Sequence, residues 1–137
     1  MLPVALTINS LNFWRHNMTK SEFIAAANKA ASNTSLMEVL NRKYSVSFPE
    51  SIGKILSVLP HGGFLEGEGL CRVMSSSEIV SANETLHLDF VGKKLLPILD
   101  LGDNIFVVFD ISRKDYGRFS LNDELVYWRS ENLNEIL

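Results

Sequence analysis

Residues 104–111 read Asn104, Ile105, Phe106, Val107, Val108, Phe109, Asp110 and Ile111, and the fold class turns on this run. Side chains alternate across a strand, so five consecutive branched or aromatic residues from Ile105 to Phe109 leave neither face polar. Such a strand belongs in the middle of a sheet covered by helices; exposed, it would promote aggregation. Weaker strand signals lie on either side. Leu70–Met74 is short and apolar, and Leu95–Leu101 carries Pro97, which predicts an edge or irregular strand because proline donates no ladder hydrogen bond. Glu124–Arg129, with Val126, Tyr127 and Trp128, reads as a further strand reached through a turn at Asp115, Tyr116 and Gly117. Alternation places one ring of the Tyr127–Trp128 pair in the core and leaves the other free to face a partner.

Upstream of Gly62 the grammar is helical. Thr19 and Glu22 have capping-box spacing, and Phe23, Ala26, Ala27, Ala30 and Ala31 follow at helical period, predicting a helix over about 19–32. Ser35 and Glu38 repeat the box before Leu36, Val39, Leu40 and Tyr44, for a second helix to about Lys43. Pro49 in a first turn, Ser47 and Glu50 at box spacing, and Ile52, Ile55, Leu56 and Leu59 define a third, stopped by Gly62 and Gly63. Gly62–Gly69 reads as a flexible glycine-rich turn. Ser75–Thr85 opens with Ser75 and Glu78 at box spacing and predicts a short helix, while Glu131–Leu137 could begin another. This order predicts an α+β domain over 1–137, with N-terminal helices, then a mostly antiparallel sheet of about four to six strands, the helices packed on one side.

The chain has 137 residues, 46% of them hydrophobic, and one cysteine, Cys71. That length suffices for one ordinary core, and a lone thiol excludes an internal disulfide, pointing to a reducing, cytoplasmic setting. No apolar run approaches the roughly 20 residues of a membrane span. The apolar start, Met1–Ser10, has no preceding Lys or Arg, which argues against a secretory signal. The net charge of -3 divides unevenly. Residues 1–60 hold six Lys or Arg against three Asp or Glu, and residues 61–137 hold seven against thirteen. The acidic half disfavours nucleic-acid backbones and favours a basic partner.

The usual catalytic signatures are missing. His16, His61 and His87 lie in separate segments, and one cysteine makes no zinc pattern, so no metal or cofactor is expected. The glycine-rich stretch lacks the Lys and Ser/Thr of a phosphate loop, and its Glu66 and Glu68 would repel phosphate. Three acidic pairs, Glu66 with Glu68, Asp100 with Asp103 and Asp123 with Glu124, have the composition of a general acid–base set, but turns attract Asp for conformational reasons alone. His61 reads as a residue interacting with a helix C-terminus, and Cys71 as a small buried hydrophobe. Sequons at Asn17, Asn33 and Asn83 occur at about the frequency chance supplies.

Two stretches, in this order, resemble the SUKH superfamily. Val46, Ser47, Phe48, Pro49 and Glu50 lead into an amphipathic helix that ends at His61, Gly62 and Gly63, similar to that family's Leu-Pro, helix, Asn-Gly-Gly signature. Leu95, Leu96, Pro97 and Ile98, then Gly102, Asp103 and Asn104, the strand to Ile111, and finally Val126, Tyr127 and Trp128 are similar to its second half, with Ser77–Val80 between. The likeness spans about residues 35–137 and leaves 1–34 as a helical extension outside it; His61, Asn104 and Phe48 depart from the usual Asn, Gly and Leu. The resemblance implies a non-enzymatic bacterial immunity protein that binds and neutralises a cognate secreted toxin, a nuclease above all, including toxins of contact-dependent growth inhibition. It would occlude a basic active-site cleft without contacting nucleic acid or membrane. On that expectation the contact residues are Glu66, Glu68, Asp89, Asp100, Asp103, Asp115, Asp123 and Glu124, while Pro49, His61, Gly62, Gly63, Pro97, Gly102 and Trp128 are structural. The alternatives are an intracellular adaptor and a small hydrolase using His61 with a carboxylate.

Overall fold

Strand β5, Ile105–Asp110, is the centre around which the rest is arranged in the computed structural model, which describes residues 18–137. The readings made on Met1–Ser10, His16 and the Asn17 sequon lie outside the described residues. In chain order the elements are β1 (Met18–Thr19), α1 (Lys20–Lys29), α2 (Thr34–Tyr44), α3 (Glu50–Val58), β2 (Gly63–Glu66) and β3 (Arg72–Val73). Then follow α4 (Ser76–Val80), α5 (Ala82–Leu86), α6 (Phe90–Lys93), β4 (Leu95–Gly102), β5, β6 (Asp115–Ser120), β7 (Leu125–Ser130) and a 3-10 turn at Leu133–Glu135. The fold is α+β, and its seven-stranded sheet runs in sequence order from β1 to β7. β1 pairs parallel with β2, and every later pair is antiparallel. The expectation of four to six strands is therefore corrected to seven among the described residues, in a mixed sheet. The surplus comes from short or polar strands, β1, β2 and β6, which carry no apolar run of their own.

Capping explains where the helices begin. Thr19 Oγ1 accepts the Glu22 N–H at 3.0 Å, and Glu22 Oε1 accepts the Thr19 N–H at 2.8 Å, so the expected box forms. The second helix starts differently: Asn33, not Ser35, is the cap, its Oδ1 accepting the Leu36 N–H at 3.3 Å. Met37 is buried on this helix whereas Val39 is exposed, so the apolar stripe is rotated from the expected one. Pro49 caps α3 through its backbone alone, and the Ser47–Glu50 box does not form. Beyond α3, Gly62 takes φ +84 and donates its N–H to Leu59 O at 2.9 Å, the left-handed stop that glycine permits.

Both faces of the central strands are covered, a correction to helices on one side. Phe106 and Phe109 point to opposite faces of β5 because their spacing is odd. Phe109 meets Phe48 just before α3, and its cross-strand neighbour Tyr116 lies beside Ser51 and Ile55 of α3. Phe106 is paired across the ladder with Phe119, whose ring makes an edge contact with Phe90 of α6. Val107 and Val108 are accordingly fully buried. Pro97 is buried too, and β4 lies between β3 and β5, so the edge reading fails; the irregular reading holds, since the register shifts between Pro97 and Leu99. Asp115, Tyr116 and Gly117 open strand β6 rather than forming a turn; the turn is residues 111–114.

An ion-pair group joins β3, β4 and α4. Glu78 Oε1 accepts from Arg72 Nη1 at 2.9 Å and from the Ser75 N–H at 2.8 Å, while Ser75 Oγ accepts the Glu78 N–H at 3.2 Å. Arg72 Nη2 also donates to Asp100 Oδ2 at 3.2 Å. The Arg72 hydrogen bond is the chief reason the Glu78 carboxyl is held below its ordinary range; partial burial opposes it and the Ser75 N–H adds to it. A depressed folded-state value stabilises the fold above the unfolded pKa and ceases to do so as pH falls through the folded value. Glu78→Gln should therefore cost about 1 kcal/mol at pH 7, an amount limited by the partial exposure of the carboxylate. The gap from the unsubstituted protein should close below about pH 4. Urea unfolding at pH 7 and pH 3 measures both values, and an equal gap at the two would show that Glu78 acts through packing rather than charge.

Candidate functional site

From β2 to β7 every ladder is antiparallel, so alternate connections share an end of the sheet. The β2–β3, β4–β5 and β6–β7 turns gather at one end, and these carry five of the eight expected contact acids: Glu66, Glu68, Asp103, Asp123 and Glu124, all exposed. Asp103 and Asn104 take φ of 54 and 62, a tight two-residue turn between paired Gly102 and Ile105. Asn104 ties this turn to the next one: its O accepts the Leu121 N–H at 2.9 Å and its Nδ2 donates to Asn122 Oδ1 at 3.4 Å. The β6–β7 turn is closed by Glu124 N–H to Ser120 O at 2.7 Å, and Ser120 Oγ accepts the Asp123 N–H at 3.3 Å. Leu70 of the first turn packs beside Gly102, its Cδ2 3.2 Å from where a Cβ would sit.

Glu124 pairs with Lys93 at 2.9 Å. Glu66, Glu68, Asp103 and Asp123 have no ion-pair partner among the described residues. Carboxylates grouped at one end of a sheet set up a negative potential that attracts a basic surface, and here it is moderated at Glu68, which lines a hollow with Lys20 and Arg118. The other three expected acids are engaged by other groups, Asp100 although it lies at the same end of the sheet. Asp89 is the cap of α6, its Oδ1 accepting the Gly92 N–H at 2.9 Å. Asp100 is half-buried on Arg72 and accepts the Gly102 N–H at 2.9 Å. Asp115 sits at the opposite end of the sheet, its side chain only 13% exposed and held by Arg129 at 3.0 Å, so it is removed from the contact set. Its sequence context hid this, because the compensating cation lies on a different strand.

The aromatic residues of β7 depart from the alternation expected of them. Leu125, Tyr127 and Trp128 are exposed by 64%, 42% and 64%. The register against β6 shifts between Tyr116 and Arg118, and Trp128 takes φ 56. This bulge inserts an extra residue and breaks the two-residue repeat, so neither ring of the pair enters the core. Left-handed backbone costs a tryptophan about 1–2 kcal/mol. Arg118 lies 4.3 Å from the Trp128 ring centroid and is itself anchored, donating through Nε to Ile136 O at 3.0 Å and through Nη2 to Leu137 O at 3.3 Å. Sequence reasoning missed this strip, yet one signal for it was available: in a run of consecutive hairpins the last strand falls at an edge.

The groups considered for catalysis remain apart. His61 is exposed three residues beyond α3, and neither it nor His87 hydrogen-bonds a carboxylate among the described residues. Cys71 is 2% exposed, and burial pushes its thiol up while Lys20 and Arg118 oppose that rise. A raised thiol is a poor nucleophile. No group of three or more His, Cys, Asp or Glu side chains among the described residues is arranged to hold a metal. No helix among them is long and apolar enough to cross a membrane. Comparison with known protein families, curated proteins and solved structures found no match to the chain.

Proposed function

We propose that this chain is an immunity protein, which binds a cognate secreted toxin and neutralises it by occluding a basic active-site cleft, a nuclease of a polymorphic-toxin or contact-dependent growth inhibition system being the partner that best suits its charge. The observation that carries this reading is the set of carboxylates, Glu66, Glu68, Asp103 and Asp123, that have no ion-pair partner among the described residues and are presented with Glu124 on the turns at one end of the sheet. A nuclease cleft is lined with cations for its phosphate substrate, and carboxylates presented together on neighbouring turns can take the place of that substrate. No catalytic group of the immunity protein is needed for this, and it would act in the cytoplasm of the producing cell.

Co-expression with the protein encoded by the adjacent reading frame tests the proposal. A 1:1 complex of nanomolar affinity is expected, with loss of the toxin's activity. Replacing Glu66, Glu68, Asp103 and Asp123 together by Lys should weaken it at least a hundredfold, chiefly through slower association at low salt. An undiminished affinity in that variant would refute charge mimicry, and failure of the two proteins to associate would refute the immunity reading.

A further inference from the structure

Helices α1 and α3 pack together, and a hollow of about 360 Å³ opens between them and the chain at residues 131–133. Each helix lines it with residues at i, i+3 and i+4, the spacing of one helical face: Ile24, Ala27 and Asn28 from α1, Ser51, Lys54 and Ile55 from α3. Its size lies within the range of small-ligand sites, roughly 300–1,000 Å³. Tyr116 of β6 also lines it and is only 7% exposed. Burial pushes the Tyr116 phenol up, and a hydrogen bond with Ser51 opposes that rise. A bond that favours the ionised phenol is one donated to its oxygen, so the O–H of Tyr116 is left as a free donor beside the hollow.

Lys54 and Glu131 bring opposite charges to this one hollow. They stand more than 4.0 Å apart, and neither has an ion-pair partner among the described residues. A carboxylic acid alone would leave Glu131 unanswered, and an amine alone would leave Lys54 so; a molecule carrying both groups satisfies the two at once. Ile24, Ala27, Ile55 and Leu133 give the same hollow apolar surface for the remainder of such a molecule. We propose that the hollow binds a free α-amino acid with an apolar side chain: Lys54 meets its carboxylate, Glu131 its ammonium, the Tyr116 hydroxyl donates to the carboxylate, and the side chain lies against Ile55 and Leu133. Tyr116 is paired with Ser130 where β6 begins and β7 ends, so this site lies at the end of the sheet away from the acidic turns and stands independently of the immunity reading.

The probes are L-phenylalanine and L-leucine, titrated calorimetrically against the full chain, with 3-phenylpropionate and phenethylamine as analogues that lack the ammonium and the carboxylate respectively. Saturable binding with Kd below about 1 mM is expected for both amino acids, and binding weaker by about fivefold or more for each analogue. Lys54→Met should abolish the advantage of phenylalanine over phenethylamine while keeping its advantage over 3-phenylpropionate, and Glu131→Gln should do the reverse. Neither residue is buried, and a melting curve first establishes that each variant is folded. Tyr116→Phe, which removes only the hydroxyl, should weaken phenylalanine by about threefold or more. Backbone amide resonances of Ala27, Ile55 and Leu133 should shift on addition of phenylalanine. No saturation by either amino acid at about 10 mM, analogues that bind as tightly as phenylalanine, or shifts confined to other residues would overturn the proposal. So would equal weakening of all three aromatic ligands by Lys54→Met or by Glu131→Gln, because the charges would then not be reading the two ends of the ligand. The fourfold lysine variant of the turns should bind phenylalanine as its parent does; a loss there would place binding at the turns and overturn the assignment.

Discussion

Arg129→Leu is expected to cost about 3–5 kcal/mol of folding stability at neutral pH. Asp110 and Asp115 are directly opposed across the β5–β6 ladder, with side chains 10% and 13% exposed. Arg129 Nη1 donates to Asp110 Oδ2 and to Asp115 Oδ1, each at 3.0 Å, and is the cation that makes this pair tolerable. Leucine would leave two near-buried carboxylates facing each other with no paired cation among the described residues. Asp110 also accepts the Arg113 N–H at 3.1 Å, so the hairpin turn at 111–114 would loosen as well. A fall in melting temperature of roughly 10–20 °C is the corresponding observation for a domain of this size. Adding Asp110→Asn and Asp115→Asn to Arg129→Leu removes both charges and should recover most of the loss. A loss below about 1 kcal/mol in the single variant would mean that water already solvates the pair.

Gly117→Ala should cost about 2–3 kcal/mol, although alanine is ordinarily the better residue within a strand. A Cβ at position 117 would fall well inside contact distance of Val126 Cγ1 and 3.2 Å from Tyr127 O. Neither neighbour yields easily, because valine is stiff at χ1 and the other atom is backbone. Gly117 faces the bulge at which β7 gains its extra residue, so its missing side chain is the space into which the edge strand bends. Val126→Ala in the same chain should restore part of the stability by removing the methyl, and the remainder reports on Tyr127 O. Urea unfolding of the three variants separates these contributions; a Gly117→Ala protein as stable as its parent would imply that β7 is free to shift outward. If it does shift, Trp128 should lose its place over Arg118, and near-ultraviolet circular dichroism would register the change.

Legibility in the sequence followed how local each cause was. The apolar run of β5 identified the central strand because burial on both faces admits no polar residue, and the boxes at Thr19 and Ser75 formed as their spacing indicated. Asn33 displaced Ser35 as a cap because helix start signals compete within one turn, and its own N–H is taken by Gly53 O at 3.0 Å, a contact made across helices. β6 was unreadable in isolation: Asp115, Gly117, Arg118 and Ser120 have turn composition, and only strands on both sides make a strand of them. The acids of the candidate site divide the same way. Asp103, Asp123 and Glu124 lie in turns that their own residue types favour, so their exposure was readable, whereas the neutralisation of Asp115 depends on a residue fourteen positions later.

By itself, the sequence determined the class of the fold, the central strand, an acidic second half and the turns that carry exposed carboxylates, since each of these arises from propensities and charges within a few residues. The tertiary structure alone decided that five of those carboxylates share one end of the sheet, that Asp110 and Asp115 are sequestered by Arg129, and that Tyr127 and Trp128 both face outward. The physical reason is register: ladder pairing and one bulged residue set which side chains meet and which face water, and neither is encoded in the local pattern of the strand itself.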